Sequence, residues 1–174
     1  MADTHSNTIR FADRITGSGA FRALYADGMT LVEEAADYLD SDGRSASKDL
    51  PRMASVLYAA ESMRLTTRLM QMASWLLLQR AVNTGEMSRE QVIAEQAKVR
   101  LDGLTCDRSA PGWSDLPEPF RDLIERSLRL QSRIALLDKA LYRRKDNTLL
   151  RPGPPTDNSV RAQLSLLETA FGRD

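Results

Sequence analysis

No glycine or proline interrupts the chain between Pro51 and Gly85, and that gap sets the longest element the fold must house. A helix through it runs about 30 residues, roughly 45–50 Å at 1.5 Å per residue. Pro51 suits the first turn, where its missing N–H is no loss, and Asn83-Thr84-Gly85 supplies the stop. The first half carries one apolar stripe: Met53, Val56, Leu57, Ala60 and Met63. From Leu65 there are two. Leu65, Leu69, Met72 and Leu76 lie on one side, while Met70, Ala73 and Leu77 continue the other. A helix apolar on two faces has to be covered on two faces.

The other segments read as partners for that rod. Residues 1–17 are polar with scattered apolar positions, a flexible arm. Over residues 18–40, Phe21, Leu24, Tyr25, Gly28, Leu31, Val32, Ala35 and Leu39 recur at intervals of three and four, one face of a helix. Gly43 and the serines of residues 41–47 end it. Ser88 and Gln91 make a capping box, with Met87 and Val92 spaced as a hydrophobic staple, and open a short polar helix over residues 88–101. Residues 102–115 form a loop with Trp113 as its one large anchor. Leu116-Pro117-Glu118-Pro119 starts a further helix to about residue 145. Its stripe is Phe120, Leu123, Ile124, Ser127 or Leu128, Leu130, Ile134, Leu137 and Leu141.

Arg151-Pro152-Gly153-Pro154-Pro155 is a stiff linker. Beyond it Val160, Leu164, Leu167 and Phe171 fall on one side of a final short helix. No stretch alternates with period two. The pattern predicts an all-α protein: an antiparallel three-helix bundle over residues 18–145, with a short extra helix and a flexible C-terminal tail over residues 146–174.

Chemistry is sparse. The only histidine is His5, in the arm, and a single cysteine cannot build a thiolate metal site. Cys106 has no structured histidine to act as its base, and flanking Asp102 and Asp107 raise a thiol pKa rather than lower it. Glu33, Glu34 and Asp37 sit beside the apolar stripe, where solvated charge belongs. Glu61, with Arg64 and Arg68 downstream, fits an ion pair in the bundle, at an interface or on the surface. No phosphate-binding glycine pattern occurs. The expectation is no enzyme, no cofactor and no metal. The lone cysteine, the absence of a signal peptide and the lack of a membrane-length apolar run place the chain in the cytoplasm.

Charge is zero overall but unevenly spread. Residues 117–145 hold eight Lys/Arg against four Asp/Glu, a net of +4, including Arg126, Arg129 and Arg133 at helical spacing and Arg143-Arg144-Lys145 at the end. Residues 18–42 hold one Arg against six acids, a net of −5. Two neighbouring helices attracting each other explain this directly. A helical nucleic-acid-binding regulator using the arginine face is the alternative, although no aromatic residues interleave with the arginines as single-strand binders require.

The apolar surplus after Leu65 predicts a twofold interface between two copies through Leu65, Leu69, Met70, Met72, Trp75 and Leu76. The competing account has the short polar helix and the Trp113 loop cover that second stripe within one chain. Val160, Leu164, Leu167 and Phe171, hung on the proline-rich spacer, make a candidate tail for docking a partner or folding back onto the bundle.

The run LPRMASVLYAAESMRLTTRLMQMASWLLLQRAV over residues 50–82 resembles the signature helix of the RcdA family, alphaproteobacterial regulators of CtrA degradation. The Pro117–Phe120 start of the later helix and the Gln163–Leu167 segment extend the likeness. The resemblance implies a homodimeric three-helix bundle with a mobile tail. It also implies a non-enzymatic adaptor that helps deliver cell-cycle proteins such as CtrA to the ClpXP protease at the cell pole, working with CpdR and the cyclic-di-GMP receptor PopA. No partner-contact residue transfers with it.

Overall fold

In a computed structural model the described residues are 19–99, 101 and 105–143. The chain divides into two compact units, Met1–Leu141 and Tyr142–Asp174, and the description below concerns the first. The tail residues Val160, Leu164, Leu167 and Phe171 lie outside the described residues, as do residues 1–18. Every regular element described is helical. They are α1 (Gly19–Asp40), α2 (Asp42–Ala46), a 3₁₀ turn (Ser47–Asp49), α3 (Arg52–Asn83), α4 (Arg89–Gln96) and α5 (Glu118–Asp138), followed by a π turn (Lys139–Arg143).

The core is built by α1, α3 and α5. Phe21, Leu24, Leu31 and Ala35 line the inner face of α1, and Phe120, Leu123, Ile124, Leu130 and Ile134 that of α5. Gly28 explains the close approach of α1 to α3. A methyl there would meet Leu76 Cδ1 at 2.5 Å, and Tyr25 on the same helix receives a hydrogen bond from Arg80. At the other end Tyr58 of α3 packs on Phe120 with ring centroids 4.4 Å apart. The end of the first helix is more ordered than the serine-rich sequence suggests. Gly43 is buried, and a methyl at this position would lie 2.5 Å from the Tyr38 ring and 2.6 Å from the Tyr58 hydroxyl.

Helix order corrects the expected antiparallel arrangement. Tyr58–Phe120, Arg68–Ser127 and Trp75–Asp138 advance together along both chains, so α3 and α5 run parallel. Glu34–Arg126 and Asp27–Arg133 advance in opposite senses, so α1 is antiparallel to α5, as it is to α3. Parallel neighbours need a return path along the bundle, and residues 84–117 provide it. They begin with the Ser88–Gln91 capping box, which is formed as the spacing predicts. Arg89 then donates to the Leu141 carbonyl, Gln131 to the Leu101 carbonyl, and Arg108 pairs with Glu125. Gly112, at φ +90°, finally lies against the Ala54 backbone at the start of α3. This descending segment buries Val92, Leu101 and Leu116. Trp113, the expected anchor, is only half-buried; the enclosed side chain is Leu116.

Candidate interaction surface

The six residues expected at a subunit interface separate sharply. Leu65, Leu69, Met72, Trp75 and Leu76 are all 5% exposed or less inside a single chain. The physical reason is cover from within the chain: Leu76 lies against Gly28 of α1, α5 packs along another side of α3, and the short α4 packs on α3 as well. Trp75 even spends its indole N–H within the fold, on Asp138 at 2.9 Å. These five are core. Met70 alone points outward, at 66% exposure.

Met70 is part of a different stripe. Met53, Val56, Met63 and Leu77 are also exposed, by 51–73%. Val56, Met63, Met70 and Leu77 recur every seven residues, with Met53 three before the first. At 3.6 residues per turn this is one slowly winding seam over about 36 Å of helix. Ala60, Thr67 and Ser74 occupy the alternate positions of the same heptads. The Thr67 and Ser74 hydroxyls donate to the Met63 and Met70 carbonyls at 2.9 and 2.8 Å. They therefore need no water partner and can be covered by another surface without losing a hydrogen bond. Between Met53 and Gln79 the charged residues are Glu61, Arg64 and Arg68; Glu61 and Arg68 are buried, and Arg64 stands at the edge of the seam, paired with Glu61. A contiguous apolar band of this length on a folded surface marks an interaction site. The seven-residue interval was present in the sequence. The stripe read from Met53 to Met63 and continued by Met70 and Leu77 already held these residues, but the interface was placed mainly on the other stripe, the one the fold buries.

Behind the seam lies a polar core. Glu61 and Arg68 are both 0% exposed. Glu61 accepts from Arg64 at 2.5 Å, and Arg68 Nη1 donates to Ser127 Oγ at 2.7 Å. Burial pushes the Arg68 pKa down, opposed by the nearby Glu61 charge. Ser127, not Leu128, takes the inward position on α5 because this guanidinium needs its hydroxyl. The Cys106 thiol is pushed up to about 11, first by burial and then by the Glu61 charge, with a thiol–carboxylate hydrogen bond adding to it. The sign matches the sequence expectation; the causes are burial first and then Glu61 across the loop, rather than neighbouring aspartates.

On the opposite side, the acidic and basic helices face each other. Arg126 bonds Glu34 at 2.5 Å and Asp122 at 3.4 Å, and the pairing holds the Glu34 carboxyl below its usual range. Arg133 reaches Asp27 at 3.8 Å, and Arg129 reaches Glu125 on its own helix at 3.9 Å. A groove of about 280 Å³ opens between these rungs, lined by Asp27, Thr30 and the three arginines together with Leu31 and Leu130. The arginines proposed for phosphate contact are thus engaged with acids on α1 or α5. Residues 144 and 145 of the basic run lie outside the described residues. Among the described residues no group of three or more His, Cys, Asp and Glu is gathered as a metal requires, and no helix is long and apolar enough to cross a membrane.

Comparison with known proteins adds two findings. Residues 12–171 match a family described as a protein of unknown function, DUF1465. The crystal structure of RcdA from Caulobacter crescentus CB15 is 46% identical in sequence, with a TM-score of 0.59, and the match covers 72% of this chain and 92% of that one. No curated protein sequence matches significantly.

Proposed function

The chain belongs to the RcdA family, and from that premise we propose that the outward seam of α3 joins two copies into a scaffold for regulated proteolysis. Like its family, it is a non-enzymatic adaptor that helps deliver cell-cycle regulatory proteins to the ClpXP protease. It interacts with components of the ClpXP and CtrA pathway. Work of this kind needs surfaces rather than a reactive centre, because holding two proteins together raises the local concentration of one for the other.

The observation that carries the dimer is the exposed apolar heptad face from Met53 to Leu77. A twofold contact uses the same patch on both partners, and a single-sided, slowly winding seam on a long helix is self-complementary in the required way. Small side chains at the alternate heptad positions let the second helix approach closely. The remaining partners follow from family likeness: the protease primed by CpdR, the receptor PopA and client proteins, in the cytoplasm with recruitment to the cell pole. The tail residues Val160, Leu164, Leu167 and Phe171 serve as a docking segment on their proline-rich tether.

Reconstituted degradation tests this. ClpXP, CpdR, PopA with cyclic di-GMP, and CtrA are combined with the full chain or with a chain ending at residue 150. The full chain should accelerate CtrA loss and the shortened one should not, although its helices α1 to α5 stay folded. Equal rates with both would remove the tail from the mechanism; no acceleration by either would remove the adaptor assignment itself.

A further inference from the structure

The ion-pair ladder between α1 and α5 is missing a rung. Because the helices are antiparallel, Glu34 stands opposite Arg126 and Asp27 opposite Arg133. The position midway on α1 is Thr30, and the matching cation on α5 is Arg129. Thr30 brings a hydroxyl and no charge. Arg129 is left with Glu125, one turn back on its own helix at 3.9 Å, and that carboxylate is shared with Arg108 at 3.5 Å. The groove between the helices opens at this gap.

We propose that this groove docks a segment of a partner protein through a single acidic side chain, whose carboxylate fills the rung over Thr30 opposite Arg129. Arg129 presents a planar fork suited to carboxylate, 66% of its side chain is exposed, and its present contact sits at the limit of ion pairing. Arg133, 60% exposed and 3.8 Å from Asp27, stands one turn away to assist. The flanking acids define the class of ligand. Asp27 and Glu34 bracket the gap on α1, so a carboxylate with neutral neighbours fits, whereas a strand with a phosphate at every step meets repulsion on both sides. A nucleic acid is therefore the wrong ligand for the arginines that the composition first brought to notice. The inference goes beyond the adaptor role, and its test uses the purified chain without protease or client, so the two stand or fall separately.

The probe is an acetylated, amidated twelve-residue peptide of glycine and serine with glutamate at every fourth position. Binding to the full chain is followed by the side-chain N–H signals of ¹⁵N-labelled arginines at low salt. The peptide should shift Arg129 most, and its glutamine counterpart should shift nothing. Arg129→Gln should weaken binding by about fivefold, the scale of one exposed ion pair. Thr30→Glu should abolish binding, because it supplies the missing carboxylate from within the chain, while leaving the helical signal intact. The proposal is overturned if the glutamate peptide shifts no arginine, if the glutamine peptide binds as well, if Thr30→Glu binds like the native chain, or if a twelve-nucleotide oligothymidylate of similar length binds more tightly than the peptide.

Discussion

Arg68 of α3, with no exposed surface, donates from Nη1 to the Ser127 hydroxyl of α5 at 2.7 Å, and Ser127 donates onward to the Ile124 carbonyl at 2.6 Å. The chain thus places a guanidinium in the middle of a helical core and uses a serine to receive it. With Glu61 beside it, this cluster sets the register of α3 against α5, which matters for two parallel helices that no short turn connects.

Removing one member of such a cluster strands the others. Arg68→Ala leaves Glu61 buried with Arg64 as its remaining counter-charge, and should cost about 3–5 kcal/mol in urea unfolding. The double change Glu61→Gln with Arg68→Met removes both charges at similar volume and should recover most of that loss. Two variants of equal instability would mean that the cluster acts through packing alone.

Gly112 and Gly85 form an internal control for backbone strain. Both have positive φ, +90° and +75°, but Gly85 faces open space while a methyl on Gly112 would sit 2.7 Å from the Ala54 nitrogen and 2.8 Å from its Cα. Backbone atoms cannot swing aside as a side chain can. Gly85→Ala should cost about 1 kcal/mol for left-handed strain. Gly112→Ala should cost clearly more, seen as a further fall in thermal midpoint of at least 2–4 °C, about 1 kcal/mol for a chain of this size.

Cys106 is a poor nucleophile, and pH exposes the reason. With its thiol at about 11 rather than an ordinary 9, thiolate at pH 7.5 is about a hundredfold scarcer than for a free cysteine. Alkylation by iodoacetamide should be slowed to match and should rise tenfold per pH unit until near 11. The raised pKa means the protonated form is the stabilised one. That contribution is intact below about pH 9 and lost as pH rises through about 11. Glu61→Gln should speed alkylation by withdrawing the negative charge and the acceptor.

Much of the fold was legible because helices announce themselves through period and punctuation. The α3 span, the Ser88–Gln91 cap and the inner stripes of α1 and α5 follow from apolar spacing and from the placement of glycine, proline and serine. Helix direction was not legible. Whether α5 runs with or against α3 depends on where residues 84–117 travel, and that path rests on contacts such as Gln131 to the Leu101 carbonyl and Gly112 against Ala54, which no local pattern encodes. Packing within the chain also displaced the candidate interface, since Leu76 lies against Gly28 of α1 and Trp75 bonds Asp138 of α5. A second apolar stripe reads identically in sequence whether the chain itself or another copy covers it, so Trp75 and Leu76 looked like surface. Met70 was the one candidate on the outward seam.

Assembly turns on the face bearing Met63 and Met70. Light scattering on the purified chain at micromolar concentration measures it directly, alongside Met63→Glu/Met70→Glu, which puts two charges into the seam while touching no buried residue. The native chain should show twice its 19.4 kDa. The double variant should show 19.4 kDa, with unchanged helical circular dichroism. A native chain of single mass, or a double variant that still dimerises, would contradict the account.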